Sequence, residues 1–255
     1  MPEPTTLRGR TIVMSGGSRG IGLAIALRAA ADGANLVLLA KTDQPHPKLE
    51  GTIHTAVEQI EAAGGRGLAV VGDVRNDEDI DRAVSQAVET FGGIDIVVNN
   101  ASVLVPVSTL ELSPSRYDLM QDVNVRGTFM LTRACLPYLL SSDDPQVLTL
   151  SPPLNLDPRW LGRFPGYLIA KYGMTLATLG FAAEFPQVAA NTLWPRTLIA
   201  TAAVGNLIGK QAMTGSRSPR IVADAARLIL TGPRRSGQTL IDDEVLAEAG
   251  ITDLS

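Results

Sequence analysis

Apolar residues along this chain fall into two alternating patterns. Short, nearly unbroken runs occupy residues 11–15, 35–40, 67–72, 94–99, 146–151, 188–194 and 237–241. Leu36, Val37, Leu38 and Leu39 make up one of them. Strands covered on both faces read this way, whereas half-exposed strands alternate apolar with polar. Between the runs, residues 20–31, 52–63, 77–91, 114–140, 165–185 and 219–230 carry helical periodicity. Strands alternating with helices imply right-handed crossovers and a parallel sheet. The pattern predicts an α/β chain: a seven-stranded, mostly parallel, doubly wound sheet with helices on both faces. No linker interrupts it, so residues 1–255 are expected to form one domain. That leaves loops 152–164 and 196–218 for substrate recognition. Pro152, Pro153 and Pro158 are expected to keep the first rigid and non-helical. The second, weakly periodic, reads as a mobile lid.

Composition narrows the class. The 255 residues are 45% hydrophobic and 19% charged, enough for a packed core. Aromatic residues are only 4%, so Ala, Val, Leu and Ile must fill that core. A net charge of −4 gives no footprint for nucleic acid. The single cysteine, Cys135, permits no internal disulfide and sits in a pattern that reads as buried. Two isolated histidines, His46 and His54, make no metal cluster. The polar start and the absence of a ~20-residue apolar stretch predict no signal, no membrane span and a cytoplasmic location.

The first strand ends in Ser15, Gly16, Gly17, Ser18, Arg19, Gly20, Ile21 and Gly22, where a helix opens. Glycines there allow a tight turn and close backbone approach to a pyrophosphate, and the helix N-terminus offers unpaired N–H groups. Gly16, Ser18 and Gly20 also spell the G-x-S-x-G of a hydrolase nucleophile elbow. That mechanism needs a histidine late in the chain, and both histidines are early. A Walker phosphate loop fails on spacing around Gly205 and Gly209. The end of the second strand bears on cofactor choice: an acid there holds ribose hydroxyls, a base accommodates a 2′-phosphate. Lys41 occupies it and Arg19 can reach the same corner, which favours NADP(H); Asp43 leaves NAD(H) as the alternative.

Tyr167 and Lys171 stand at i and i+4, on one face of a predicted helix. A phenol with a pKa near ~10 is a poor base at neutral pH. A cation ~4 Å away at an effective dielectric of ~20 contributes ~4 kcal/mol, enough to lower that pKa by a few units. The phenol would then exchange a proton while a nicotinamide carries the hydride.

The glycine turn together with this pair resembles the short-chain dehydrogenase/reductase family over nearly the whole chain. The matching positions include Ser15 to Gly22, Asp73 and Val74, Asn99, Asn100 and Ala101, Asn124, and Tyr167 with Lys171. The resemblance implies a single Rossmann-type domain in a homodimer or homotetramer, acting on a small-molecule carbonyl or alcohol. It also implies roles. Asp73 and Val74 would lie by the adenine, with Asn100 and Ala101 lining the cofactor. Asn124 would anchor a water in a proton relay, and Lys171 would also bind the nicotinamide ribose. A narrower resemblance, to hydroxysteroid dehydrogenase-like proteins, rests on Lys41 and Thr42, His46 to Leu49, Gly51 to Thr55, Leu150 to Leu156 and Leu193 to Thr197. It implies an apolar or lipid-like substrate, and the short ending suggests a bacterial cytoplasmic relative.

Departures from the family pattern matter as much. The position of the family's substrate-binding serine is Pro152, leaving Ser151 or Asn155 to polarise a carbonyl, unless Ser151 only caps the strand. Ser102 replaces the usual glycine after Ala101. Arg196 replaces the glycine after Pro195, so Thr197 or nearby backbone would meet the nicotinamide amide. Leu198, Ile199, Val204, Leu207, Ile208 and Met213 are candidates for an apolar pocket, a dimer contact or core. A non-catalytic NADP(H)-binding sensor or scaffold is the alternative to an enzyme.

Overall fold

The computed structural model describes residues 6–45, 51–201 and 215–252. Its strands are β1 (Thr11–Ser15), β2 (Asn35–Ala40), β3 (Arg66–Val71), β4 (Ile96–Asn99), β5 (Gln146–Leu150), β6 (Ala189–Trp194) and β7 (Thr239–Ile241). They form one sheet in the order 3-2-1-4-5-6-7. All six pairings are parallel, where the sequence predicted only a mostly parallel sheet.

Strand residues divide between two cores. Ile12, Met14, Leu36, Leu38, Ile96 and Val98 face α1 (Gly20–Ala30), α2 (Ile53–Ala62) and α8 (Pro219–Thr231). Val13, Val37, Leu39, Val97 and Val147 face α3 (Asp77–Phe91), α5 (Gly127–Leu139) and α7 (Pro165–Glu184). Burial on both faces is why these runs contain almost no polar residue. The chain winds outward from β1 to β3, then returns to place β4 beside β1. Reversal of winding opens a crevice at the carboxyl ends of β1 and β4, where such sheets bind ligands. The register pairing Ser15 with Asn99 marks its floor.

Three segments differ from the sequence reading. The helix expected over 114–140 is divided into α4 (Pro114–Met120), a π-helical segment (Gln121–Arg126) and α5. Tight packing lies beside the break, since a Cβ on Gly127 would come within 2.9 Å of Val74. Loop 152–164, expected to be non-helical, contains the short α6 (Pro158–Leu161). Asp157 caps it through the Arg159 N–H, and Pro158 takes the first helical position, where no N–H is needed. A further short helix, α9 (Asp242–Glu248), follows β7, with three acids in its first turn.

Candidate active site

The glycine turn bends directly under the end of β4. Gly16 has φ +72°, and a Cβ there would lie 2.9 Å from the Ala101 backbone. A Cβ on Gly22 would come within 2.5 Å of both the Asn100 side-chain amide and the Gly16 carbonyl. Asn100 locks this arrangement by donating through Nδ2 to the Gly16 carbonyl at 2.8 Å. The Asn100 and Ala101 N–H groups donate to Ser15 Oγ at 3.3 and 3.2 Å. Ser18 is buried, and Thr201 closes over Gly20 from the segment after β6. The N-cap of α1, Arg19, makes no side-chain cap, and no acid occupies the first turn, so the amides at Gly20, Ile21 and Gly22 suit an anion.

Charged groups gather beyond the end of β2. Arg19 Nη2 donates to the Gly51 carbonyl at 3.2 Å, while its buried Nη1 has no hydrogen-bond partner among the described residues. Lys41 Nζ lies 3.4 Å from the Asp73 carboxylate and is largely exposed. Asp73 also pairs with Arg75 at 2.6 Å. Partial burial opposes ionisation of Asp73, but hydrogen bonds from Arg75 and the Lys41 charge hold its pKa down to about 2. Asp43 is engaged elsewhere, accepting from His54 at 2.7 Å. An orphaned guanidinium nitrogen and a loosely held ammonium thus leave positive charge at this corner.

Helix α7 carries Tyr167 and Lys171 one turn apart, on one face, as their spacing requires. Burial pushes the Tyr167 phenol well above its ordinary range, with the nearby Ser102 side chain pulling more weakly the other way. Lys171 is 3% exposed, and burial lowers its pKa to about 7. Its Nζ donates to the Leu150 carbonyl at 2.7 Å and lies 5.3 Å from the centre of the Trp194 ring. The Lys171 amine thus turns toward β5 and β6.

Asn124 sits in the π-helical segment, fully buried. Its Oδ1 accepts the Val103 N–H at 2.7 Å and its Nδ2 donates to the Val103 carbonyl at 3.1 Å. Both side-chain groups are thus committed to the loop after β4. The Ser151 hydroxyl is also fully buried and lies 2.9 Å from Thr175 Oγ1. Thr175 gives its one proton to the Pro152 carbonyl at 2.7 Å, so Ser151 is the donor in the pair. Of the two roles open to Ser151, strand end and carbonyl donor, this contact fits the first. Asn155 is exposed and tied by its backbone to Tyr172.

After β6, Pro195 continues into Arg196, which turns away from the crevice to Asp243 at 3.0 Å and to Glu244. Thr197 is exposed and accepts from Arg217 at 2.8 Å. Among the apolar candidates, Ile199 is 3% exposed and belongs to the core, whereas Leu198 is exposed. Val204, Leu207, Ile208 and Met213 lie outside the described residues, as do His46 and most of lid 196–218. Sequence reasoning missed Thr175, although it stands one turn beyond Lys171 on the same helix face. Cys135 is buried as expected, and burial pushes its thiol up. Among the described residues no helix is long and apolar enough to cross a membrane, and no group of three His, Cys, Asp or Glu could hold a metal.

A sequence profile of the short chain dehydrogenase family matches residues 10–209. A crystal structure of a putative dehydrogenase from Xanthomonas campestris is 55% identical, with a TM-score of 0.95 over 98% of this chain and 93% of that one. One of a short chain dehydrogenase from Mycobacterium thermoresistibile is 54% identical, with a TM-score of 0.93 over 98% and 90%. Hydroxysteroid dehydrogenase-like protein 2 of Rattus norvegicus is 51% identical over 99% of this chain, which spans about half (49%) of that protein's length. With the sheet order and the glycine turn already described, these similarities place the chain in the short-chain dehydrogenase/reductase family, within its hydroxysteroid dehydrogenase-like branch.

Proposed function

We propose that this chain is an oxidoreductase that interconverts a carbonyl and a secondary alcohol with NADP(H). The observation that carries the reading is the placement of Tyr167 and Lys171 one turn apart on one face of α7, with the glycine turn held against Ala101 at the end of β4. When bound, the nicotinamide supplies or accepts the hydride. The turn of Gly16, Ser18, Gly20, Ile21 and Gly22 holds the pyrophosphate through backbone N–H groups. Arg19 and Lys41 meet the 2′-phosphate, with Asp73 and Val74 beside the adenine. Asn100, Ala101, Pro195 and Thr197 line the nicotinamide end.

Tyr167 gives its proton to the carbonyl oxygen in reduction and takes it back in oxidation. A phenol held above its ordinary range is a protonated acid at neutral pH, which suits reduction in the free arrangement. Lys171, with a pKa near neutrality, changes charge easily and is the group that tunes the phenol once it faces the cofactor ribose. Asn124 acts by fixing the loop that carries Ser102. An apolar or lipid-like substrate is favoured by Leu154, Leu156 and Trp160, all exposed on loop 152–164. The exposed apolar side chains Phe129, Tyr138, Ile169 and Leu176 on α5 and α7 favour a homodimer or homotetramer, since a second copy would cover them.

Proline at 152 and the buried Ser151 hydroxyl favour one second reading, a cofactor-binding sensor or scaffold without chemistry. NADPH consumption with a panel of alkyl and aryl ketones separates the two. Turnover that falls at least ~10²-fold in Tyr167→Phe supports the enzyme; NADPH binding without any turnover supports the sensor. Comparing KM for NADPH and NADH in wild type, Lys41→Ala and Arg19→Ala tests the phosphate corner. Unchanged preference in both variants removes it.

A further inference from the structure

The segment joining β5 to α7 forms a cavity of about 480 Å³, open to solvent and lined by Asn155, Asp157, Arg159, Trp160 and Arg163. Its charges do not balance, since two arginines face one aspartate. Asp157 is committed to Arg159, whose Nη2 lies 2.7 Å from one carboxylate oxygen and whose Nε lies 3.2 Å from the other. It also caps α6 through the Arg159 N–H at 2.8 Å. The exposed Arg163 guanidinium has neither an acceptor nor an ion-pair partner among the described residues. Asn155 spends Oδ1 on the Asp157 N–H at 3.0 Å, and its Nδ2 has no acceptor among the described residues. Trp160 adds an aromatic wall that is 37% exposed, and Leu154 and Leu156 stand exposed just before it.

We infer that this cavity receives an anionic end of the substrate, with Arg163 as the group that holds it. Resting on the oxidoreductase reading above, this names the substrate class: an apolar chain that carries the reacting carbonyl and ends in a carboxylate or phosphate. A guanidinium and an amide N–H both donate to such an oxyanion, and the indole covers the adjoining apolar chain. The Asp157–Arg159 pair is already neutral and leaves Arg163 as the cavity's excess charge. Placement ties the cavity to the reacting end. Arg163 precedes Tyr167 by four residues, so their Cα atoms are at most ~14 Å apart even along a fully extended chain. The opposite wall is fastened to the same helix, because the Asn155 N–H donates to the Tyr172 hydroxyl at 3.0 Å and that hydroxyl donates to the Asn155 carbonyl at 2.7 Å. A medium-length chain therefore spans from Arg163 to the phenol, and exposed Leu154 and Leu156 flank the anion site without supplying any charge of their own.

The test compares 9-oxodecanoate with its methyl ester, which share the ketone and the chain and differ in the terminal charge. Full-length wild type, Arg163→Gln, Arg163→Lys and Arg8→Gln are assayed with NADPH at low salt. Arg8 is exposed and precedes β1, at the amino end of the sheet, so its variant controls for net charge. Wild type and Arg8→Gln are expected to favour the acid over the ester in kcat/KM by at least ~5-fold, the worth of about 1 kcal/mol for a solvent-accessible ion pair. Arg163→Gln should bring that ratio close to one, and Arg163→Lys should keep part of it. Calorimetric titration with decanoate needs no turnover and should show a dissociation constant at least ~5-fold weaker in Arg163→Gln than in wild type. Decyl phosphate in the same titration separates the two headgroups, the tighter ligand naming the one the cavity takes. Ketone turnover with an acid-to-ester ratio near one in wild type, or with the same ratio in Arg163→Gln as in Arg8→Gln, overturns the anion site and leaves the oxidoreductase intact. Decanoate binding that needs Arg163, without turnover of any ketone, keeps the site and overturns the oxidoreductase. Neither turnover nor Arg163-dependent binding overturns both.

Discussion

Burying Lys171 should leave a measurable mark on how the cofactor-free protein responds to pH. Its ordinary pKa of 10.5 falls to about 7 in the folded chain because burial disfavours the charged form. Between those values the unfolded chain binds the extra proton and the folded chain does not, so stability rises with pH through that window. At ~1.4 kcal/mol per unit, the full cost of the buried ammonium is about 5 kcal/mol, present below pH 7 and gone above about 10.5. Lys171→Met removes this dependence. It also strands the Leu150 carbonyl, which now accepts from Nζ at 2.7 Å, at a cost of ~1–3 kcal/mol. That second cost is the same at every pH. The variant is therefore expected to be more stable than wild type by ~2–4 kcal/mol at pH 6, from the difference of these two quantities. At pH 9.5 only ~1.4 kcal/mol of the ammonium cost remains, and the advantage vanishes. Urea unfolding without cofactor at pH 6, 8 and 9.5 measures it. Parallel pH dependence in the two proteins would refute a Lys171 that is charge-penalised by burial.

Three further substitutions probe the frame around the site. Gly22→Ala drives a methyl to 2.5 Å from the Gly16 carbonyl, which cannot move without opening the turn; a loss of ~1–3 kcal/mol in unfolding and at least ~10-fold in NADPH affinity is expected. Asn124→Ala strips partners from both polar backbone groups of Val103 and should cost ~2–4 kcal/mol, with kcat falling more than KM rises, as steady-state kinetics would show. Asp73→Asn should flatten acid unfolding, because a carboxyl held at about 2 contributes stability above about pH 4 that is lost as pH falls toward 2. Its partial exposure keeps that contribution under ~2 kcal/mol, and an identical acid midpoint in the variant would show Asp73 contributes none.

The sheet was readable from sequence because of where it is buried. Strands such as Leu36 to Leu39 lose all contact with water on both faces, so no polar position interrupts them. Ends were less distinct: Ile94 is buried yet precedes β4, since burial extends beyond the ladder hydrogen bonds that define a strand. The π-helical segment was invisible, because one extra residue per turn barely disturbs apolar spacing over 114–140. Pro158 misled for the opposite reason. Proline halts a helix from inside but starts one at its first position, and Asp157 just before it was the sign. Tyr167 and Lys171 could be paired from their spacing, but the direction of the Lys171 amine could not. It depends on Leu150 and Trp194, which only the fold brings near.

A file of buried hydroxyls explains why spacing on α7 was informative at all. Asn99 donates to Thr132 at 2.9 Å, and the hydroxyl pairs Thr149–Thr178 and Ser151–Thr175 lie at 2.8 and 2.9 Å. Lys171 continues the file by bonding Leu150. Apolar contacts alone would let a helix slide or rotate on a sheet with little change in buried area, since they carry no direction. Hydrogen bonds in a dry interior do carry direction, and each one left unmade is costly, so α7 has one register against β5. Tyr167 stands one turn before Lys171 in that register and is thereby delivered to the end of the file. Ser151 belongs to this scaffold, and a proline at 152, which needs no partner for an N–H, is compatible with it.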